Sequence, residues 1–246
     1  MTVSRQQRIN MKFELTHKGD WSYYCIPELE TTGILHGFFT RASPSLEPYW
    51  KDGKTFLDAF ALQRFVIMNQ EHGDTIHVIR DGEKAVNGDG IIIIEKNVAG
   101  IIKTADCLPV IIAAPELPMA AIVHAGWRGT ARKITLKAVQ KMVELGAARE
   151  SLVVLIGPAV GSCCYEVKED VNNIFKKEGF PDRVFRKAGG TTYLDMREAN
   201  RELLRQEGVI KIYDVNLCTY CSNGLFASYR RGERSSRQIN FVSLRG

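Results

Sequence analysis

The stretch Gly90–Val123, GIIIIEKNVAGIIKTADCLPVIIAAPELPMAAIV, decides the fold class. Its short apolar runs are rich in Ile and Val and are cut by turn residues, a pattern that favours buried, pleated backbone. It reads as strands at Gly90–Ile94, Val98–Ile102, Pro109–Ala113 and Met119–Val123. Upstream, His36–Phe39, Phe65–Met68 and Ile76–Ile79 have the same character; downstream, so do Leu152–Ile156, Ile210–Val215 and Gln238–Leu244. Strands therefore follow one another from Phe65 to Val123 before a long helix occurs. That order argues against a simple doubly wound parallel sheet and for a mixed-sheet α+β domain. Three helices are predicted. In Thr130–Leu145, Ile134, Ala138, Met142 and Leu145 recur at helical spacing, with Gly146 as the stop. Val167–Lys177 carries Glu169 and Asp170 near its positive end. Asp195–Gln206 starts on a capping Asp195, has Glu198 three residues later and ends before Gly208. No composition break divides the chain, so one domain is expected.

The composition is that of an ordinary globular protein, with 45% hydrophobic and 25% charged residues among 246. That excludes disordered, collagen-like and disulfide-scaffold classes. The 33 basic and 28 acidic residues leave a net charge of +5, thinly spread. The densest basic stretch, Tyr229-Arg230-Arg231-Gly232-Glu233-Arg234, is interrupted by Glu233. Small anionic ligands fit such a surface, and no nucleic-acid partner is expected. No apolar run approaches the ~20 residues of a spanning helix, and Met1–Asn10 lacks an apolar signal core. A cytoplasmic protein with no membrane partner is the expectation. The six cysteines (25, 107, 163, 164, 218 and 221) then read as intracellular thiols.

Three turns at strand ends carry residues suited to chemistry: Asn69–Asp74 with His72, Lys103–Pro109 with Cys107, and His124–Thr130 with His124. Two imidazoles and a thiolate would make a three-ligand site with a free fourth position, as catalytic zinc uses. Such a metal acidifies water or polarises a substrate atom. The separations, 35 and 17 residues, are not those of zinc fingers. Histidines bonded to backbone and a buried, inert thiol are the competing interpretation.

The phrases TADCLPV (Thr104–Val110), HAGWRGT (His124–Thr130), IGPAVGSCCYEV (Ile156–Val167), CTY (Cys218–Tyr220) and FASYRR (Phe226–Arg231) occur in that order. In them the chain resembles the laccase-domain family, once named multicopper polyphenol oxidases. The similarity runs from about His36 to the C-terminus; residues 1–30 carry little of it, leaving 31–246 as the family domain. The resemblance implies two packed mixed sheets flanked by helices. It implies a purine nucleoside phosphorylase acting on adenosine, inosine, guanosine and methylthioadenosine, with adenosine deaminase activity. The family pattern Q-x-H-G matches Gln70–Gly73, which adds Gln70 as a substrate-binding candidate. The implied metal ligands are His72, Cys107 and His124, normally around zinc. The family's T-R-x-G-G turn reads Thr40-Arg41-Ala42-Ser43-Pro44 here, without either glycine. Glu71 stands where the family often has Val.

Further site candidates follow. Arg128 could hold phosphate beside the N-terminus of the helix beginning near Thr130, or form a surface ion pair. Asp106 could orient a ligand imidazole, act as general acid/base, or stabilise its turn. Arg41 is a second phosphate candidate. Tyr229, Arg230 and Arg231 alternate as in a strand, so one face would meet a pocket. Cys163 and Cys164 are expected to be structural: on one strand they would point to opposite faces. Cys218-Thr219-Tyr220-Cys221 has metal or redox spacing, but no second pair of cysteines is expected to complete a four-ligand site.

Competing functions are a copper-dependent polyphenol oxidase and a thiol hydrolase with Cys107 as nucleophile and His124 as base. Multicopper oxidation needs a histidine-rich cluster, and the chain has only His17, His36, His72, His77 and His124. Purine nucleosides and phosphate are the expected small-molecule partners; oligomeric state is left open.

Overall fold

In a computed structural model of the chain, residues 11–44, 53–80, 83, 85–222 and 224–246 are described. The polar stretch Met1–Asn10 lies outside them. The first half of the chain forms β1 (Glu14–Lys18), β2 (Trp21–Cys25), α1 (Pro27–Glu30), β3 (Ile34–Phe39), α2 (Lys54–Phe60), β4 (Arg64–Asn69), β5 (Ile76–Val78) and β6 (Ala85–Asn87). The apolar centre forms β7 (Gly90–Ile93), β8 (Val98–Thr104), β9 (Leu108–Ala114) and β10 (Met119–Ala125). Then come α3 (Trp127–Ala131), α4 (Ile134–Glu144), β11 (Val153–Ile156), β12 (Glu166–Val167), α5 (Glu169–Lys177), β13 (Phe185–Ala188), β14 (Thr191–Leu194), α6 (Met196–Gln206), β15 (Lys211–Asp214) and β16 (Gln238–Leu244).

Two mixed sheets dominate this single α+β domain. One has the order β1-β2-β3-β16-β8-β4-β6, the other β15-β11-β9-β10-β7-β5. A small third sheet, β12-β14-β13, was not expected from the sequence. Nor were β1 and β2, yet Trp21 and Tyr23 on β2 are buried and β2 pairs with β3.

The long apolar runs follow from burial on both faces. Along β9, Ile111 and Ala113 join a core between the two large sheets, together with Ile91, Ile93, Ile102, Ile122 and Val242. Their neighbours Val110 and Ile112 face the other way, into a core with Ile134, Ala138, Met142 and Leu203 from α4 and α6. The outer face of the seven-stranded sheet is covered by α2 through an aromatic cluster of Trp21, Phe39, Phe56, Phe60 and Phe241. The layers are thus α2, sheet, sheet, helices. Gly100 on β8 serves the inner contact: a Cβ there would meet Ile93 Cγ1 at 3.2 Å and Ile91 Cγ2 at 3.3 Å.

Two sequence expectations need correction. The helix predicted over Thr130–Leu145 is two helices, α3 and α4, separated at Lys133, whose φ is +62°. Asn200 on α6 braces the break: its Nδ2 donates to Thr130 Oγ1 (3.1 Å) and its Oδ1 accepts from Thr135 Oγ1 (2.6 Å). The alternation at Tyr229–Arg231 belongs to a turn, closed by Gly232 N donating to Tyr229 O (3.0 Å), and not to a strand. The cap on α6 is as expected, with Asp195 Oδ1 accepting from Glu198 N at 2.9 Å.

Candidate metal centre and its cavity

The topology brings the three family-matching turns together. The chain leaves β4 in one sheet and enters β5 in the other; His72 lies on that crossing. Cys107 lies on the second crossing, from β8 to β9. His124 is the penultimate residue of β10, whose register sets it opposite Pro109 at the start of β9. The metal-binding atoms of His72, Cys107 and His124 all lie within 4.8 Å of one another. The two imidazole rings meet edge to face, with centroids 4.9 Å apart.

A buried aspartate that sequence reasoning missed organises this centre. Asp89 immediately precedes β7 and is fully buried. Its Oδ1 accepts from His124 Nδ1 at 2.7 Å and from His72 N at 3.0 Å. Its Oδ2 accepts from Gly73 N at 2.6 Å and from Glu71 N at 3.3 Å. The carboxylate thereby holds the His72 backbone at φ +57°, a conformation that a non-glycine residue adopts only when constrained. It also engages His124 through Nδ1, so Nε2 is the nitrogen left to ligate once its proton is released. Burial opposes ionisation of Asp89, but the His124 and backbone donors outweigh it and hold the pKa below its ordinary value.

Burial works against charge on Cys107 as well, yet His124 and His72 bring its pKa down to about 6. In His124, burial is likewise outweighed by Cys107 and Asp89, which raise its pKa to about 9. The pair is biased towards a thiolate, the form in which cysteine binds metal. Space between the donors is provided by Gly126: a Cβ there would sit 3.2 Å from Cys107 Sγ, 3.4 Å from His72 Cδ2 and 3.7 Å from His124 Cε1. Two nitrogens and one sulfur around a cradle that a methyl group would fill fit a borderline-soft divalent cation.

The centre opens into a cavity of about 840 Å³. Lys103, Arg128, Arg230 and Arg237 line it, as do the aromatic rings of Trp127, Tyr165 and Tyr229. Arg128 is exposed, its guanidinium 4.3 Å from the Trp127 ring. It stands in the first turn of the five-residue α3, so the long-helix N-terminus expected beside it is not there. Arg230 Nη2 donates to Glu166 O at 3.0 Å, and its guanidinium lies 5.1 Å from the Tyr165 ring. Burial pushes the Tyr165 phenol above its usual pKa, so it remains a proton donor.

The other sequence candidates fall in different places. Gln70 lines the cavity, but both ends of its amide are used: Nε2 donates to Lys103 O (2.7 Å) and Oε1 accepts from Lys103 N (2.8 Å). It clamps the His72 turn to β8. Asp106 also lines the cavity, at φ +82°. Its Oδ1 accepts from Thr219 Oγ1 (2.6 Å); its Oδ2 accepts from Arg230 N (2.7 Å) and Ser228 Oγ (3.1 Å). These contacts stabilise turns; the partner of the ligand imidazole is Asp89. Arg41 is not among the cavity residues, and its Nη1 pairs with Glu233 Oε1 at 3.0 Å. His36 and His77 lie apart from the centre. His36 is buried, taking Ile26 N on Nε2 (2.9 Å), with its Nδ1 donating to Ile34 O (3.1 Å). His77 Nε2 donates to Asn87 O at 2.7 Å.

One expectation about the thiols is overturned. Cys163 and Cys164 lie in a turn, not on a strand, and both approach Cys221. With Cys218 they form a second group whose sulfurs all lie within 4.8 Å of one another. The missing second pair for Cys218 and Cys221 is therefore present.

Residues 52–245 match the family model described as multi-copper polyphenol oxidoreductase laccase. The chain belongs to this family. Within it, the chain is 36% identical over 173 residues to a purine nucleoside phosphorylase of Deinococcus radiodurans, covering 70% of this chain and 66% of that protein. It thus spans just under two thirds of that relative's length. It is 34% identical to the purine nucleoside phosphorylase YlmD of Geobacillus stearothermophilus, over 76% of this chain and 74% of that one. It is 32% identical to adenosine deaminase RL5 from an unknown prokaryotic organism, over 74% of this chain and 75% of that one. The crystal structure of Geobacillus YlmD superposes with a TM-score of 0.84 at 26% identity, covering 96% of this chain and 100% of that one. Among the described residues, no helix is long and apolar enough to cross a membrane.

Proposed function

We propose that this chain is a zinc-dependent purine nucleoside phosphorylase acting on adenosine, inosine, guanosine and methylthioadenosine, with adenosine deaminase activity, working in the cytoplasm. The observation that carries the proposal is the convergence of His72, Cys107 and His124 at one end of a cavity lined by cations and aromatic rings. Its family relatives carry the names of both activities. When bound at His72, Cys107 and His124, zinc supplies Lewis acidity.

The remaining roles belong to the chain. Trp127, Tyr165 and Tyr229 offer apolar faces to a purine. Lys103, Arg128, Arg230 and Arg237 raise the local positive potential that an incoming phosphate needs. In phosphorolysis a phosphate oxygen bonds to the anomeric carbon as the carbon–nitrogen bond to the base breaks. The bonding electrons leave with the purine, which takes up a proton, and ribose 1-phosphate is the second product. The sugar becomes cation-like along the way, so a phosphate held close by these basic residues also stabilises the transition state. In deamination, water adds to the purine carbon bearing the amine and ammonia leaves. Asp106 and Gln70 act as positioning residues, holding the turns that present Cys107 and His72.

The alternatives make different products. Metal-free and zinc-loaded protein should be incubated with adenosine, with and without phosphate. Adenine plus ribose 1-phosphate only when phosphate is present, and inosine without it, are expected of the zinc-loaded form. Full turnover by the metal-free form, blocked by thiol alkylation, would instead identify Cys107 as a nucleophile with His124 as its base. Oxidation of phenols by a copper-loaded form, with no nucleoside turnover, would support the polyphenol oxidase reading. Among the described residues only His72 and His124 of the histidines converge on a possible metal, far short of a multicopper cluster.

A further inference from the structure

We propose that Cys163, Cys164, Cys218 and Cys221 form a second metal site, a four-thiolate centre for a structural zinc-class cation. The four residues come from two loops far apart in sequence. Cys163 and Cys164 sit in the turn after β11, where Cys164 N and Tyr165 N both donate to Gly161 O at 2.9 Å. That tight turn is why adjacent cysteines can face the same way, which a strand would forbid. Cys218 and Cys221 sit in the turn after β15, which pairs in parallel with β11 and so ends beside it. A bridge between Ala159 and Cys218 extends this pairing into the two loops.

The separations suit a shared ion. Four sulfurs at about 2.3 Å from a zinc lie roughly 3.8 Å apart. Here Cys163 Sγ is 3.5 Å and Cys164 Sγ 3.0 Å from Cys221 Sγ, and the whole set lies within 4.8 Å. A disulfide would need roughly 2.0 Å and would engage only two of the four, whereas Cys221 has two sulfur neighbours at once. Cys163 and Cys221 are exposed, so an ion has a path in. Backbone donors favour negative charge at Cys218. Gly161 N donates to Cys218 Sγ at 3.3 Å. Arg186 Nε donates to Ser162 O at 2.9 Å, and Arg197 Nη2 donates to Leu217 O, which sets a guanidinium on the backbone beside each loop. Binding would release the thiol protons to solvent and leave four thiolates on one dication.

This site has a mechanical connection to the cavity. Thr219, between two of the cysteines, donates to Asp106, and Tyr165, next to Cys164, lines the cavity wall. An ion at the thiols would lock both loops in place. The proposal does not depend on the reaction assigned to the cavity.

The test separates the two centres. A His72→Ala/Cys107→Ser variant, reduced and stripped of metal, is titrated with cobalt(II) and then zinc. One equivalent of cobalt is expected, with the intense sulfur-to-metal absorption and visible bands of a tetrahedral all-sulfur site, displaced by zinc. Adding Cys163→Ser and Cys221→Ser to that variant should abolish uptake. Reduced wild-type protein should bind two equivalents, and Cys163→Ser/Cys221→Ser alone should bind one. The wild-type stoichiometry keeps the test valid should a multiple variant fail to fold. Uptake of a single equivalent by reduced wild-type protein, with four thiols still titratable by a disulfide reagent, would overturn the proposal. So would all-sulfur absorption that is missing from the first variant when it is folded.

Discussion

Replacing Asp89 by Asn tests the organisation of the metal centre with nearly no change of shape. The carboxylate accepts four N–H groups, two on each oxygen, and it is fully buried. An amide keeps one acceptor oxygen and turns the other into a donor. In one orientation the new NH2 faces Glu71 N and Gly73 N; in the other it faces His72 N and His124 Nδ1. The first leaves two donors without an acceptor; the second leaves His72 N without one, because a His124 proton moved to Nε2 lets Nδ1 accept from the new NH2. At about 1–3 kcal/mol for each, the metal-free fold should lose roughly 1–6 kcal/mol. The second orientation has a further effect. It drives the His124 proton to Nε2, the nitrogen that must be bare to ligate. Zinc affinity should then fall at least about 10–100-fold, the usual size of losing a ligand's partner. Urea unfolding of metal-free protein measures the first effect, and competition with a chromophoric chelator measures the second. A variant within about 0.5 kcal/mol of wild type that binds zinc equally well would refute this organising role of Asp89.

Gly126→Ala should leave the metal-free fold nearly untouched, because φ −63° and ψ 169° suit alanine, but its Cβ enters the space between the ligands. Zinc affinity should fall by about 10-fold or more while the melting temperature without metal stays within a few degrees; the reverse pattern would count against the cradle. Arg128→Ala should lower phosphorolysis by roughly 10–100-fold, the size of one or two lost charge-assisted contacts, and deamination much less. Equal loss of both activities, with reduced zinc content, would show that Arg128 only shapes the His124 turn. His36 predicts an acid-sensitive step. Complete burial depresses its pKa from 6.5 to about 4, so the unfolded chain binds the proton first as pH falls. Stability is therefore fully present above pH 6.5 and declines towards pH 4, by roughly 3 kcal/mol at most. His36→Gln should flatten that part of the stability-versus-pH curve; an unchanged slope would mean that other groups carry it.

Much of this protein is legible in its sequence. The strand run from β7 to β10 stands out because both faces of those strands are buried, so Ile and Val appear without alternation. The cap at Asp195 is legible because its signal lies within four residues. Family motifs single out His72, Cys107 and His124, since each sits in a distinctive turn. Other features are non-local and leave no such trace. Asp89 looks like any turn aspartate; its role exists only because β7 pairs with β10 and the His72 turn folds over both. The separation of α3 from α4 depends on Asn200, about seventy residues away, bridging Thr130 and Thr135. Arg41 has a matching motif position, but its charge is taken up by Glu233, nearly two hundred residues on. The four-thiol group shows the limit most clearly. CC at 163 and CxxC at 218 each look incomplete along the chain, and a parallel pairing of β11 with β15 makes them one cluster. Local sequence determined which segments pleat, coil and cap, because those choices rest on burial and hydrogen bonds within a few residues. Which side chains meet was decided by sheet order and register, because a ligand set or a buried carboxylate is completed by strands that the chain itself keeps far apart.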